Sequence, residues 1–222
     1  MVRTWSQVVA FGLAVAVAWG LAPQPAAAQF GNGELYFAHC LPGDDLDDGI
    51  TDFPNTLPVD VCIVYSGVTL GELRGPLELA PGTYQITVAQ ADPDNPGANP
   101  PIITGTIAVR PRQSFTFAAQ LNDLGQAAGG LYQNNTRRIA GLNSRVAIHH
   151  AANAGAVDAS LTSLIGMPGF AALGLGNSEQ VSADILAGPY LMRLTPAGIP
   201  SIDLLTPQPQ TLSPANLYLV FV

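Results

Sequence analysis

The chain contains one sequence pattern twice, with the copies about 110 residues apart. In each copy a histidine, His39 or His149, ends a short apolar segment, and a Val-Asp pair begins a later one. A Leu-Ala pair and a turn then lead to a tyrosine, Tyr84 in the first copy and Tyr190 in the second. A sequence repeat of this length corresponds to a unit that folds by itself. The pattern therefore predicts two small domains of similar fold.

The first 28 residues have the features of a signal peptide. Arg3 supplies a positive charge, residues 8–21 are apolar and uncharged, and Ala26–Ala28 supplies the small residues that signal peptidase recognises. The apolar stretch is shorter than the roughly 20 residues that span a bilayer, which favours cleavage before Gln29 over a retained anchor. We therefore expect an exported protein, periplasmic or extracellular, with no membrane span after cleavage.

The charge of the chain is acidic and unevenly distributed. The chain has no lysine, and removing Arg3 from its 8 basic and 16 acidic residues leaves a net charge of −9. This balance argues against nucleic acid or an anionic membrane surface as partner. Residues 29–133 carry 12 acidic residues and 3 arginines, whereas residues 134–222 carry 4 of each. Any electrostatic role of the imbalance therefore belongs to the first copy.

Two cysteines, Cys40 and Cys62, both lie in the first copy. In an exported chain this pair predicts a disulfide across a 22-residue separation. Such a bond contributes about 3 kcal/mol in the loop-entropy model. The alternatives are two buried thiols, or a metal site in which the neighbouring His39 would still leave an incomplete ligand set.

Short apolar or alternating segments bounded by Gly, Pro, Asn and Asp dominate the chain and predict β-strands. Residues 83–88 alternate, with Tyr84, Ile86 and Val88 on one face, as expected for a half-buried strand. The second copy shows similar segments, among them residues 201–205 and 217–222. The 19 prolines and 23 glycines leave few uninterrupted windows for long helices. The sequence thus predicts an all-β chain of two tandem antiparallel Ig-like β-sandwich domains.

The predicted boundaries are a signal peptide at 1–28, a first sandwich at 29–135, a linker at 136–143 and a second sandwich at 144–222. Residues 131–133 can add a closing strand to the first sandwich, and the second has no counterpart to them. Its final segment, 217–222, is then either an interior strand covered by its own domain or an open edge that accepts a strand from another chain.

These motifs resemble a bacterial family of domains of unknown function, DUF4397. The opening strand with its histidine, the Val-Asp strand and the Leu-Ala turn with its tyrosine carry the resemblance; they occupy residues 37–39, 59–61 and 79–84 in the first copy, and residues 145–149, 157–158 and 186–190 in the second. The resemblance implies tandem exported β-sandwiches and no established chemistry. The Ser-Pro-Asp-Ala-Pro type linker usual after the histidine is absent from both copies, and the first copy has an acidic insertion there.

One ionisable pair occurs in both copies: His39 with Asp60, and His149 with Asp158. A histidine beside a carboxylate can form half of a general-base system, but neither pair is accompanied by a serine in a Gly-x-Ser-x-Gly turn. A buried imidazole that bonds a carboxylate or backbone groups can instead tie the end of one strand to the start of the next. We expect this structural role, with a hydrolase as the weaker alternative.

The acidic insertion has five carboxylates in the nine residues 44–52. Asp44, Asp48 and Asp52 have a spacing seen in calcium-binding loops, and Asp48 precedes a glycine suited to the turn. Leu46 and Asn55, however, stand where an EF-hand has oxygen ligands. The segment is therefore interpreted as a solvated acidic loop or as a looser calcium site, and no other cofactor is expected.

Taken together, these features favour an exported protein that is not an enzyme. We expect it to act as an interaction or structural module of the envelope or the extracellular space. Its expected partner is a protein or a cell-envelope surface, and not nucleic acid. A calcium-binding surface module is the alternative.

Overall fold

The structure is a computed structural model that describes residues 16–18, 31–41, 59–61, 65–70, 72–92, 94–95, 98–153 and 155–222. Residues 16–18, 59–61 and 65–66 are described by their backbone alone. The described residues form sixteen β-strands and no α-helix, which confirms the all-β prediction. They divide into two compact units, one within residues 11–134 and one that contains residues 135–222.

The first unit consists of nine strands: β1 Ala16–Ala18, β2 Gly33–His39, β3 Val59–Val61, β4 Tyr65–Val68, β5 Leu73–Leu79, β6 Gly82–Gln90, β7 Pro101–Val109, β8 Ser114–Leu121 and β9 Ala127–Asn134. One sheet has the order β5-β2-β8-β9. In the other, β6 pairs with β7 along its length, with β1 at residues 85–87 and with β3 at residues 88–90. Strand β4 continues this second sheet beyond β3.

Apolar side chains from both sheets form the core of the first unit. Leu35 and Phe37 of β2 and Phe117 of β8 belong to the same buried cluster as Ile86 and Val88 of β6. In β6 the half-buried Tyr84 and the buried Ile86 and Val88 alternate with the exposed Thr83 and Gln85 and the half-buried Thr87, on the two faces that the sequence pattern predicted. Since the inner faces of two sheets share one core, the unit is a β-sandwich.

The second unit consists of seven strands: β10 Asn143–His149, β11 Val157–Ser163, β12 Phe170–Leu175, β13 Gln180–Leu186, β14 Gly188–Pro196, β15 Gln208–Leu212 and β16 Leu217–Phe221. Its sheets have the orders β13-β10-β16 and β12-β11-β14-β15. Val146 and Ile148 of β10 share a buried cluster with Val157 and Leu161 of β11 and with Leu194 of β14. The second unit is therefore also a sandwich.

The two units have the same strand pairing. Strands β5, β2 and β8 correspond to β13, β10 and β16, and strands β4, β3, β6 and β7 correspond to β12, β11, β14 and β15. In each unit the first core strand pairs in parallel with a late strand, β2 with β8 and β10 with β16. The prediction of wholly antiparallel sandwiches is therefore wrong for these two pairings. The chain crosses from the other sheet before β8 and β16, and it enters each pairing in the direction of the first core strand.

The strand predicted to close the first unit is present as β9, which pairs with β8. Among the described residues no equivalent strand lies beside β16, which pairs with β10. All five residues of β16 are nevertheless buried, whereas β13 at the other edge of the same sheet has exposed residues at alternate positions. Strand β16 is thus an edge strand of its sheet among the described residues, and its five residues are buried, so acceptance of a strand from another chain at residues 217–222 stays a prediction.

The tyrosine of the repeated turn fastens the turn that precedes it. The hydroxyl of Tyr190 donates to the carbonyl oxygen of Leu186 at 2.8 Å, and that of Tyr84 donates to the carbonyl oxygen of Ala80 at 2.7 Å. Each bond spans four residues and joins the end of one strand to the start of the next across a tight turn. Tyr190 is fully buried, and Tyr84 is partly buried.

We expect Tyr190→Phe to lower the free energy of unfolding by about 1 kcal/mol, because it removes the hydrogen bond that the hydroxyl of this buried residue donates to the carbonyl oxygen of Leu186. Tyr84→Phe is the matched control in the first unit. It should lower the free energy of unfolding by less, because water can bond the carbonyl oxygen of Ala80 in place of the lost hydroxyl. Urea denaturation of each variant measures the difference. Equal or greater stability of the Tyr190 variant would contradict this role of the bond.

Candidate functional site

The two histidines of the repeat occupy equivalent positions. His39 is the last residue of β2 and lies opposite Ala119 of β8, and His149 is the last residue of β10 and lies opposite Phe221 of β16. Both are buried, with 4% and 0% of their surface exposed. The repeat therefore places one enclosed imidazole at the end of the first core strand of each sandwich.

The imidazole of His39 is held by backbone. The backbone N–H of Leu41 donates to His39 Nδ1 at 3.3 Å, and Nε2 is buried with no hydrogen-bond partner among the described residues. Burial lowers the pKa of His39 far below its ordinary value, because desolvation penalises the charged form. The side chain of Asp60 lies outside the described residues, so its pairing with His39 stays a prediction.

The imidazole of His149 stacks on the ring of Phe221, with ring centroids 4.8 Å apart and planes 21° from parallel. Burial lowers the pKa of His149 to about 3, and a side-chain hydrogen bond with Gln180 opposes the shift. The next residue, His150, is fully buried. Its backbone N–H donates to the carbonyl of Glu179 and its carbonyl accepts from the N–H of Ser178. This end of β10 is thus fastened to the turn before β13.

Asp158 does not bond to His149, so that predicted pair is wrong. Its carboxylate oxygens accept instead from the backbone N–H of Gly174 at 2.7 Å and of Gly198 at 2.9 Å. Both glycines have positive φ. The alternation of side chains along a strand explains the result. Ile148 faces the core, so His149 faces away from it; Val157 likewise faces the core, so Asp158 points outward from the opposite sheet.

The predicted cation and disulfide sites fall largely on residues that the structure does not describe. Asp44, Asp48 and Asp52 all lie outside the described residues, and the calcium site stays a prediction. Within the described ranges no three His, Cys, Asp or Glu residues are grouped as a metal would require. Cys40 is a free thiol, so the predicted disulfide with Cys62 is not formed in the structure. Burial raises the pKa of the Cys40 thiol to about 12.

The structure reveals an ion pair, between the buried Arg145 and the partly exposed Asp184, that the sequence analysis did not assign. Arg145 Nε donates to Asp184 Oδ1 at 2.6 Å and Arg145 Nη2 to Oδ2 at 2.7 Å. Its third nitrogen, Nη1, donates to the carbonyl oxygens of Asn135 and Arg137 at 2.8 and 2.9 Å. The only sequence signal was a lone arginine at the start of a buried apolar strand. This guanidinium fastens part of the predicted linker to the second sandwich.

A family model described as a domain of unknown function, DUF4397, matches residues 50–160. The chain belongs to this DUF4397 family. The matched region extends from the end of the acidic insertion, through the rest of the first unit, to β11 of the second. It therefore includes the histidine and Val-Asp motif of the second copy. No curated protein matches the chain.

Two solved structures resemble the DUF4397 chain weakly. "The Bacillus anthracis TIE protein" has a TM-score of 0.28 and 13% identity over 86% of this chain and 34% of its own. A leucine-rich repeat protein from Bacteroides thetaiotaomicron has a TM-score of 0.22 and 13% identity over 87% of this chain and 26% of its own. The chain spans about a third or less of the length of either structure. Both TM-scores are too low to support an argument.

We expect acid to destabilise the protein between about pH 6.5 and pH 3, because an unfolded histidine gains a proton below its ordinary pKa while the buried His149 stays neutral down to about 3. Each such histidine lowers the free energy of unfolding by about 1.4 kcal/mol per pH unit in this window. Denaturant titrations above and within the window measure the slope. His149→Gln should reduce the slope, and an unchanged stability of the parent protein would contradict the prediction.

We expect Arg145→Lys to lower the free energy of unfolding by about 1–3 kcal/mol, since an ammonium cannot reproduce the bidentate pair and the two carbonyl bonds. Arg193→Lys is the matched control. Arg193 pairs with Asp203 in the same unit, but its side chain is 36% exposed, so the loss should stay below about 1 kcal/mol. Urea denaturation compares the two variants, and equal losses would show that burial of Arg145 adds nothing.

Proposed function

We propose that this DUF4397 protein is exported and non-catalytic, and that it acts by surface contact as an interaction or structural module of the envelope or the extracellular space. One observation carries the proposal. The ionisable residues that the second copy shares with the first are enclosed or already hydrogen-bonded, and they do not converge in an open cleft.

The geometry of these residues opposes a hydrolase. A general base must reach the proton that it removes, and His149 has no exposed surface. Its predicted partner Asp158 cannot orient the imidazole, because each of its oxygens accepts from a glycine amide. Both residues instead fasten local structure, Asp158 by joining β12 to the turn after β14. These roles support a protein whose activity lies in its surface.

Export is supported by the features of the first 28 residues, with their positive start, apolar stretch and small-residue cleavage site. Among the residues that the structure describes, no helix is long and apolar enough to cross a membrane.

Fractionation of cells that produce the protein from its own start codon tests the proposal. We expect the protein in the periplasm, the envelope or the medium, with Gln29 as its first residue in N-terminal sequencing. Crosslinking of the intact cells should then capture it with a surface component. A cytoplasmic protein that keeps residues 1–28 would contradict export, and hydrolysis that is abolished by His149→Asn in a folded variant would contradict the non-catalytic role.

A further inference from the structure

One end of the second unit exposes four large aliphatic side chains. Leu142 is 71% exposed, Leu164 54%, Ile165 66% and Leu186 42%. They belong to the segment before β10, the β11–β12 connection and the end of β13. We call these four residues, with the segments that carry them, the apolar end.

Backbone hydrogen bonds join the segments of the apolar end to one another. The N–H of Ala187 donates to the carbonyl of Leu142 at 2.9 Å, and the N–H of Leu164 donates to the carbonyl of Pro189 at 3.0 Å. Ser163 Oγ accepts from the backbone N–H of Ile165 and so holds the β11–β12 turn. The aliphatic side chains therefore project from connected turns, and collapse of one turn onto the core would break these bonds.

The apolar end carries no ionisable side chain. Its four connecting segments, residues 139–144, 163–169, 186–189 and 212–216, contain no Asp, Glu, His, Lys or Arg. Moving an ionised group from water into an apolar phase has a large desolvation cost. Because the apolar end has no such group, it is suited to enter an apolar phase.

Charge in the second unit is separated between its ends. Two of its four arginines pair with aspartates, and Arg137 and Arg138 are exposed and unpaired among the described residues. The bond from Arg145 to the carbonyl of Arg137 places these two next to the start of β10, which leads from the apolar end. Asp158 and Glu179 lie at the opposite end, beside the start of β11 and in the turn before β13.

We propose that the apolar end inserts into the surface of a phospholipid membrane, with Arg137 and Arg138 against the lipid phosphates. The inference rests on the proposed function of surface contact and names its partner. A stable protein interface uses about 20–30 residues on each partner and favours aromatic residues, so four aliphatic side chains are too few for a second copy. A few inserted aliphatic side chains with flanking cations suffice at a membrane surface. The acidic excess that argued against an anionic membrane surface belongs to residues 29–133, whereas residues 134–222 carry four arginines and four acidic residues.

Co-flotation of the purified protein with vesicles tests this proposal. We expect binding to phosphatidylcholine vesicles, and tighter binding to vesicles of equal parts phosphatidylcholine and phosphatidylglycerol. The double variant L142D/I165D should lower binding to both by at least about tenfold. The variant R137Q/R138Q should remove most of the preference for phosphatidylglycerol. The matched control L173D/I202D changes two residues that are 78% and 53% exposed at the other end of the same unit, and it should bind as the parent does.

Failure of the parent protein to float with either vesicle would overturn the proposal. Undiminished binding by L142D/I165D, or an equal loss in L173D/I202D, would also overturn it. A self-association that L142D/I165D abolishes, without vesicle binding, would assign the apolar end to a second copy. Circular dichroism establishes that each variant is folded, and L142S/I165S replaces a variant that is not. An exported protein that binds no vesicle would leave the proposed function standing without this inference, whereas a cytoplasmic protein that binds vesicles would do the reverse.

Discussion

The structure of each unit depends on the burial of alternate apolar side chains between two sheets. Successive residues of a β-strand point to opposite faces of its sheet. A strand that contributes Val146 and Ile148 to the core must therefore direct the neighbouring side chains to the other face of the sheet. The parallel pairing of the first core strand with a late strand closes this arrangement in both units. The positions of the histidines, the aspartates and the buried arginine all follow from the same alternation.

The sequence could predict the features that depend on local alternation, and it could not predict those that depend on the path of the chain. The repeat, the strand character of the chain, the alternation in β6 and the closing strand β9 were read from local pattern, since each depends on neighbouring residues. The parallel pairings were not, because the partner of a strand is set by the return path of the chain. Residues 201–205 were read as a strand for their apolar content, yet they form an irregular connection with exposed side chains, and the strand follows at Gln208.

The candidate site shows the same division more sharply. Sequence reasoning found the repeated histidines and predicted their enclosure, but it joined His149 to Asp158 because a histidine and a carboxylate recur together. In the fold they lie on the faces of two different sheets that point away from the shared core, and backbone amides satisfy the carboxylate. The sequence did not predict the ion pair of Arg145, since nothing in it links this arginine to Asp184, 39 residues later. What the second unit offers to other molecules is its exposed surface, which carries aliphatic side chains at both ends; the connecting segments of the apolar end hold no acidic side chain, whereas Asp158 and Glu179 lie at the other end.

In this fold the repeated imidazoles are enclosed and neutral. A histidine titration followed by nuclear magnetic resonance measures this directly, and the chain has three histidines to resolve. We expect the ring resonances of His149 to remain those of a neutral imidazole well below its ordinary pKa, down to about pH 3. Protonation of His149 near pH 6.5 in the folded protein, as for an exposed imidazole, would contradict the account.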